Sequence, residues 1–283
     1  MTTLDHKIDF AVLISVNKAN PNGDPLNGNR PRQNFDGFGE ISDVAIKRKL
    51  RNRLLDMGET IFVQSDDKKT DGYKSLKDRA DANELLIKYS KGKEKDREKY
   101  AEVACETWMD VRSFGQVFAF KADSVSVGVR GPVSIHTATS VDPIDITSMQ
   151  ITKSVNSETS DKKGSDTMGM KHRVDFGLYL LKGSINTQLA EKTRFTNDDA
   201  LKIKEALITL FENDASSARP DGSMEVFKLI WWEHNSKLGQ YSSAKVHRSI
   251  EIKKKIDVPK DINDYTMHVN ELEGLKVEVL DGK

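Results

Sequence analysis

From Ile8 to Asn17 the chain alternates: Ile8, Phe10, Val12, Ile14 and Val16 fall on one side, Asp9, Ala11, Leu13, Ser15 and Asn17 on the other. A period of two is the repeat of a pleated strand, not of a helix. The chain therefore opens with a strand whose apolar face must be buried against something. Asn20-Pro21-Asn22-Gly23-Asp24-Pro25-Leu26-Asn27-Gly28-Asn29 follows. Proline removes ladder donors, and Gly and Asn favour left-handed backbone, so the strand stops there. The segment is a turn-rich loop, ordered or mobile.

A helix comes next. Ser42 is placed to cap it, with Asp43 at the positive end of the helix dipole. Ile46, Leu50, Leu54 and Met57 recur at helical spacing, and Gly58 is a natural stop. Between Ile41 and Leu55 stand Lys47, Arg48, Lys49, Arg51 and Arg53 against the single acid Asp43. The whole chain is neutral, with 44 basic and 44 acidic side chains, because excess acids elsewhere, notably from Asp257 to Lys283, cancel this helix on paper. Segregated charge, not the sum, decides what a surface attracts. The basic helix is either an ordinary solvated face or one that neutralises phosphates.

Farther on, residues 60–110 read as a helical insertion on the surface, rich in Asp, Lys and Glu. Ser124 to Ile135 alternates as a strand, with Pro132 at a bulge or edge. Ile144–Val155 and Val174–Ile185 are further strands, separated by the polar stretch Ser154–Thr167, a protruding loop or hairpin tip. Asn197 begins another helix, and Met224–Trp232 and Lys245–Ile256 close the chain as strands. Trp231 and Trp232, flanked by apolar neighbours, belong to the core. Helices that follow strands in a mostly antiparallel arrangement indicate an α+β, ferredoxin-like core with large additions, built as one domain over residues 1–283. A sheet of this type has one helix-covered face and one face left for single-stranded RNA.

Several chemistries lose their footing. Cys105 is the one cysteine, so no internal disulfide or cysteine-rich zinc site forms, and a packed thiol is the expectation. Six scattered histidines lack ligand spacing, and no phosphate-loop, Gly-x-Ser-x-Gly or His-Glu-x-x-His motif occurs. Apolar runs are too short to span a bilayer and the start lacks a secretory stretch, which implies a cytoplasmic protein. Asp24 and Asp36 sit in turn-forming contexts, where aspartate is commoner as a turn residue than as a metal ligand. The second basic cluster is Lys153, Lys171, His172 and Arg173, beside Met168 and Met170 at the base of the polar loop. A methionine there either packs on the sheet or wedges between bases. No metal or cofactor is called for.

The order of motifs is more specific than any one of them. Asn20-Pro-Asn-Gly-Asp-Pro-Leu-Asn-Gly-Asn-Arg-Pro-Arg32 and Gly39-Glu-Ile-Ser-Asp-Val-Ala-Ile-Lys-Arg-Lys-Leu-Arg-Asn-Arg-Leu54 resemble the start of the type I-C CRISPR Cascade backbone subunit. The resemblance continues through Trp108-Met-Asp-Val-Arg-Ser-Phe-Gly-Gln-Val-Phe118, Val129-Arg-Gly-Pro-Val-Ser-Ile135, Met149-Gln-Ile-Thr-Lys-Ser-Val-Asn156 and Gly169-Met-Lys-His-Arg-Val174.

That resemblance implies a non-catalytic subunit stacked head to tail along CRISPR RNA, with other Cascade subunits, displaying the spacer for pairing with a target DNA strand. It implies a modified RNA-recognition-motif fold with finger, palm and thumb elaborations. Lys47, Arg48 and Arg51 would be palm, touching phosphates, with Asn20, Asn22, Arg30 and Arg130 also near RNA. Residues 153–173 would form the thumb-like hairpin carrying Lys153, Lys171, His172 and Arg173, with Met168 or Met170 as the wedge. A related reading is metal-dependent RNA cleavage through Asp24 or Asp36. RNA processing would instead need His136 or His172 as a base.

Overall fold

The computed structural model describes residues 2–91, 94–120, 126–152 and 168–283. The first strand, β1 (Ile8–Ala19), leads into a small hairpin of β2 (Gly23–Asp24) and β3 (Arg30–Pro31), then β4 (Phe38–Ile41) and the helix α1 (Asp43–Asp56). Four helices follow, α2 (Leu76–Asp81), α3 (Glu84–Ser90), α4 (Arg97–Thr107) and α5 (Met109–Phe114), then β5 (Gly115–Phe118) and β6 (Val127–Arg130). The strands β7 (Val133–Ile135), β8 (Ala138–Pro143), β9 (Ile146–Thr152) and β10 (Met168–Ile185) come next. Helices α6 (Thr187–Thr193) and α7 (Asn197–Ile208) precede β11 (Met224–Glu233), α8 (Ser243–His247), β12 (Ile250–Lys254), β13 (Tyr265–Val269) and β14 (Lys276–Asp281).

The result is a mixed α/β molecule organised on a large antiparallel sheet, ordered β14-β11-β1-β10-β8-β4, with β7 and β9 also paired to β10. The alternating N-terminal strand is central, between β10 and β11. Its predicted apolar face packs with Ile46, Leu50 and Leu54 of α1 and with Ala200, Ile203 and Leu207 of α7. At the centre Phe10 lies opposite Gly183 and stacks on Trp231 at 5.8 Å. A Cβ at Gly183 would stand 2.2 Å from the Phe10 ring, so only glycine admits this approach.

The second face differs from expectation. It is not free along β1 and β11: Ala11, Ile230 and Trp232 are buried there beneath Val246 and Leu275. The covering segment is α8 with the chain that follows it. Asp9, also on this face, is fully buried; its Oδ2 lies 2.8 Å from His234 Nε2 and 3.0 Å from Lys7 Nζ. The Gln240 backbone N–H donates to His234 Nδ1, so the imidazole donates to Asp9 through Nε2. Burial opposes ionisation of Asp9, yet hydrogen bonds from His234, Ser243 and Lys7 hold its carboxyl below the usual range.

A separate core forms where the charged stretch suggested only surface helices. Phe62, Leu86, Tyr100, Trp108 and Phe118 pack together, with Phe62 4.6 Å from Trp108 and 5.0 Å from Phe118. Cys105 is buried in it, and burial pushes its thiol up to about 12, so it is inert packing.

Several boundaries move. Of the expected strand Ser124–Ile135, the first two residues lie outside the described residues, and the remainder divides at Gly131-Pro132 into β6, which pairs β5, and β7, which pairs β10. Lys245–Ile256 is not one strand; its start belongs to α8. The cap of α7 is Thr196, in a capping box with Asp199, one residue before the expected Asn197. Below Val174, which pairs both Ala19 and Ile146, β10 keeps β9 as its ladder partner among the described residues. The pair β9–β10 therefore leaves the sheet as a two-stranded arm. Among the described residues no helix is long and apolar enough to cross a membrane.

Candidate nucleic-acid interface

The loop after β1 is held by its own polar side chains. Asp24 accepts from the Leu26 N–H, and Gly28 and Asn29 take left-handed φ of 58° and 60° to turn the chain back. Asn20 Nδ2 donates to the Asn29 carbonyl at 2.7 Å, and Asn22 Oδ1 accepts from the Ser42 N–H at 2.9 Å. The second bond ties the loop to the cap of α1, where Ser42 Oγ accepts from the Ala45 N–H.

On α1 the five cations part company. Arg51 Nε donates to Asp110 Oδ2 at 2.9 Å, and its guanidinium covers the Phe114 ring. Arg53 pairs with Glu212 and donates to Thr209 Oγ1. Lys49 is buried against Asp214, which also faces Arg219 Nε at 3.4 Å. Burial lowers the Lys49 ammonium to about 8; the Asp214 charge opposes that fall and the nearby Arg219 adds to it. Lys47 makes an i,i+4 pair with Asp43. Arg48 is left outermost, 62% exposed and ion-paired with the equally open Asp67.

On the arm, Met168, Met170 and His172 project from one face of β10, opposite Thr152, Gln150 and Ser148 of β9. Neither methionine packs on the sheet: they are 59% and 55% exposed. Ser148 Oγ joins His172 Nδ1 at 2.8 Å and Arg30 Nη1 at 3.0 Å, so the β2–β3 hairpin reaches the arm. Lys171 is exposed between them, and Arg173 lies 3.6 Å from Asp175. Lys153 and the polar tip lie outside the described residues. Arg130 is exposed on β6, within the small sheet it forms with β5, and lines neither recess described next.

Two recesses gather the rest. One, of about 300 Å³, is lined by Asn20, Asn29, Met170, Lys171, His172 and Ala218. The other, of about 220 Å³, is lined by Asn22, Arg48, Lys49, Lys68, Ser216 and Arg219, among others. They meet at residues 215–219, a strap before β11 whose members line both. Sequence reading missed the strap, because Ala215-Ser-Ser-Ala-Arg219 carries no periodicity and one cation.

A cleft of 630 Å³ between β10 and the β12–β13 hairpin includes Asp142, Phe176, Lys254 and Tyr265, and none of the residues singled out by sequence. Asp24 is engaged as a turn cap and Asp36 sits in an exposed turn. Among the described residues no three His, Cys, Asp or Glu side chains converge as metal ligands. What the paired recesses offer is amide, hydroxyl and cationic donors beside exposed thioethers, a set suited to a polyanion with flat apolar parts.

The family profile described as "CRISPR-associated protein Cas7" matches residues 6–270. The chain belongs to the Cas7 family. A curated relative, the CRISPR-associated protein Cas7 of Haloferax volcanii, is 27% identical over 240 residues, spanning 77% of this chain and 67% of that protein. Among solved structures, a chain of a pre-nicking CRISPR RNA-guided surveillance complex is similar at 16% identity and a TM-score of 0.49, over 80% of this chain and 78% of that one. A chain of a second CRISPR RNA-guided surveillance complex gives 14% and 0.45, over 80% and 68%. In this Cas7 chain the matched stretch takes in both recesses, the arm and the strap.

Proposed function

We propose that this Cas7-family chain is the CRISPR RNA-binding backbone subunit of a type I-C Cascade, and not a nuclease. Several copies stack head to tail along the RNA, together with other Cascade subunits in the cytoplasm. They hold the spacer open for pairing with a target DNA strand. The core is a modified RNA-recognition motif, residues 60–110 are its helical insertion and residues 153–173 its thumb.

The observation that carries this reading is the convergence, in a member of this family, of Asn20, Met170, Lys171 and His172 on one recess and of Asn22 and Arg48 on the recess beside it. None of these groups forms a base-edge code; they suit phosphate and ribose, as a subunit that must accept any spacer requires. Met168 and Met170, held out on the arm, suit a wedge between unstacked bases. Arg30 and Arg173 brace the arm's base, Arg51 braces α1 from within, and Lys47 adds positive charge beside Arg48.

The test is to purify the protein from cells expressing a CRISPR array with its neighbouring genes and to sequence the co-purifying RNA. Protected RNAs of uniform length, matching repeat and spacer, are expected. A preparation free of nucleic acid that fails to bind RNA at low salt would overturn the proposal.

A further inference from the structure

The strap between the recesses is better fixed than an ordinary loop. Asn213, at a left-handed φ of 56°, turns the chain out of the helix region, and its carbonyl accepts from Lys68 Nζ at 2.8 Å. Ser216 and Arg219 close a tight turn through two backbone hydrogen bonds of 2.8 and 3.0 Å. The Asn20 N–H donates to the Ala218 carbonyl at 2.9 Å, and the Asn17 N–H donates to Ser223 farther along. Beneath the strap, Asp214 lies between Lys49 and Arg219. These bonds hold the strap's backbone without a ligand, which lowers the entropic cost of binding.

The strap's chemistry points outward. Ser216 and Ser217 are exposed hydroxyls, Ala218 leaves room for close approach, and no acid interrupts 215–219. Arg219 lines the second recess, its Nε buried 3.4 Å from the Asp214 carboxylate. A second, independent feature adds an opposite requirement. Asn20, only 3% exposed and lining the same recess as Ser217, has given its amide N–H to Asn29, while its Oδ1 has no hydrogen-bond partner among the described residues. An unmet buried acceptor wants a donor. A phosphate accepts from hydroxyls and guanidinium, and a neighbouring ribose 2′-hydroxyl can donate; a deoxyribose cannot.

We infer that the strap Ala215–Arg219 is itself a ribose-phosphate binding element, over which the RNA backbone crosses from one recess to the other. Ser216, Ser217 and Arg219 face its phosphates, Asn20 faces a 2′-hydroxyl, and Asp214 is the positioning residue. This rests on the RNA-binding reading above and adds a contact surface to it.

Ser217→Glu places a carboxylate on the exposed crest. It is expected to weaken binding of CRISPR RNA by about tenfold or more, with the larger loss on RNA than on DNA of the same sequence, at an unchanged Tm. Ser217→Lys is expected to tighten binding and steepen its salt dependence by ~0.7 in the log-log slope. Arg48→Glu serves as the comparison. If both Ser217 variants bind like the wild type while Arg48→Glu loses affinity, the strap assignment is wrong and the RNA-binding reading stands. If none of the three changes affinity, both fall together.

Discussion

Arg48 and Arg51 stand three residues apart on one helix and do opposite work. Asp110, fully buried, accepts from Arg51 Nε and from the backbone N–H groups of Phe62 and Val63 at 2.7 and 3.1 Å. Removing that carboxylate strands one partly buried cation and two amides, whereas Arg48 gives up an exposed ion pair. Asp110→Ala is therefore expected to destabilise the fold by ~3–5 kcal/mol in urea unfolding. Arg48→Ala should stay within ~0.5 kcal/mol of the wild type. An Asp110→Ala protein as stable as the wild type would show that the Arg51 pair is ornamental.

Across an element, the question becomes how many cations of α1 reach a phosphate. Its sequence lists five, but three are turned inward to Asp214, Asp110 and Glu212. Arg48→Ala should lower the salt slope of binding to single-stranded RNA by ~0.7, about equally for all sequences. Arg51→Gln should leave that slope unchanged. A lowered slope in both variants, measured by fluorescence anisotropy from low to high salt, would mean that Arg51 swings out to meet RNA. The arm follows similar logic. The alternation of β10 was readable from Val174 onward, but its extension to Met168 depends on the ladder with β9, and ladder partners are distant in sequence.

Taken as a whole, the molecule buries titratable groups beneath its second sheet face. His247 Nε2 donates to the Gly183 carbonyl at 3.1 Å, and burial lowers its imidazole below the ordinary value, against the opposing pull of Asp9 and of that carbonyl. A histidine so depressed stays neutral in the native state while the unfolded chain takes up a proton near pH 6.5. Stability is then expected to fall as pH drops from about 7 through 6.5 and to keep falling until the native imidazole also titrates. Urea midpoints at pH 7.5 and 5.5 check this, and His247→Gln should shrink the difference. An equal difference in that variant would assign the acid sensitivity elsewhere, with the Asp9 carboxyl acting only at lower pH.

Local chemistry was legible from the sequence alone. The strand from Ile8 to Asn17, the Ser42 cap, the inward row Ile46, Leu50 and Leu54, and the buried tryptophans all follow from periods and propensities within a few residues. Tertiary structure decided the rest. It chose which cations of α1 are buried, covered the second sheet face with α8, joined Arg30 to the arm, and set the strap between two recesses. Each of these depends on which distant groups satisfy a buried charge or an open hydrogen bond, and residues such as Lys49 and Asp214 meet across 165 positions of chain. Periodicity assigns a side chain to a face, but the partner that neutralises it is determined only when the faces pack.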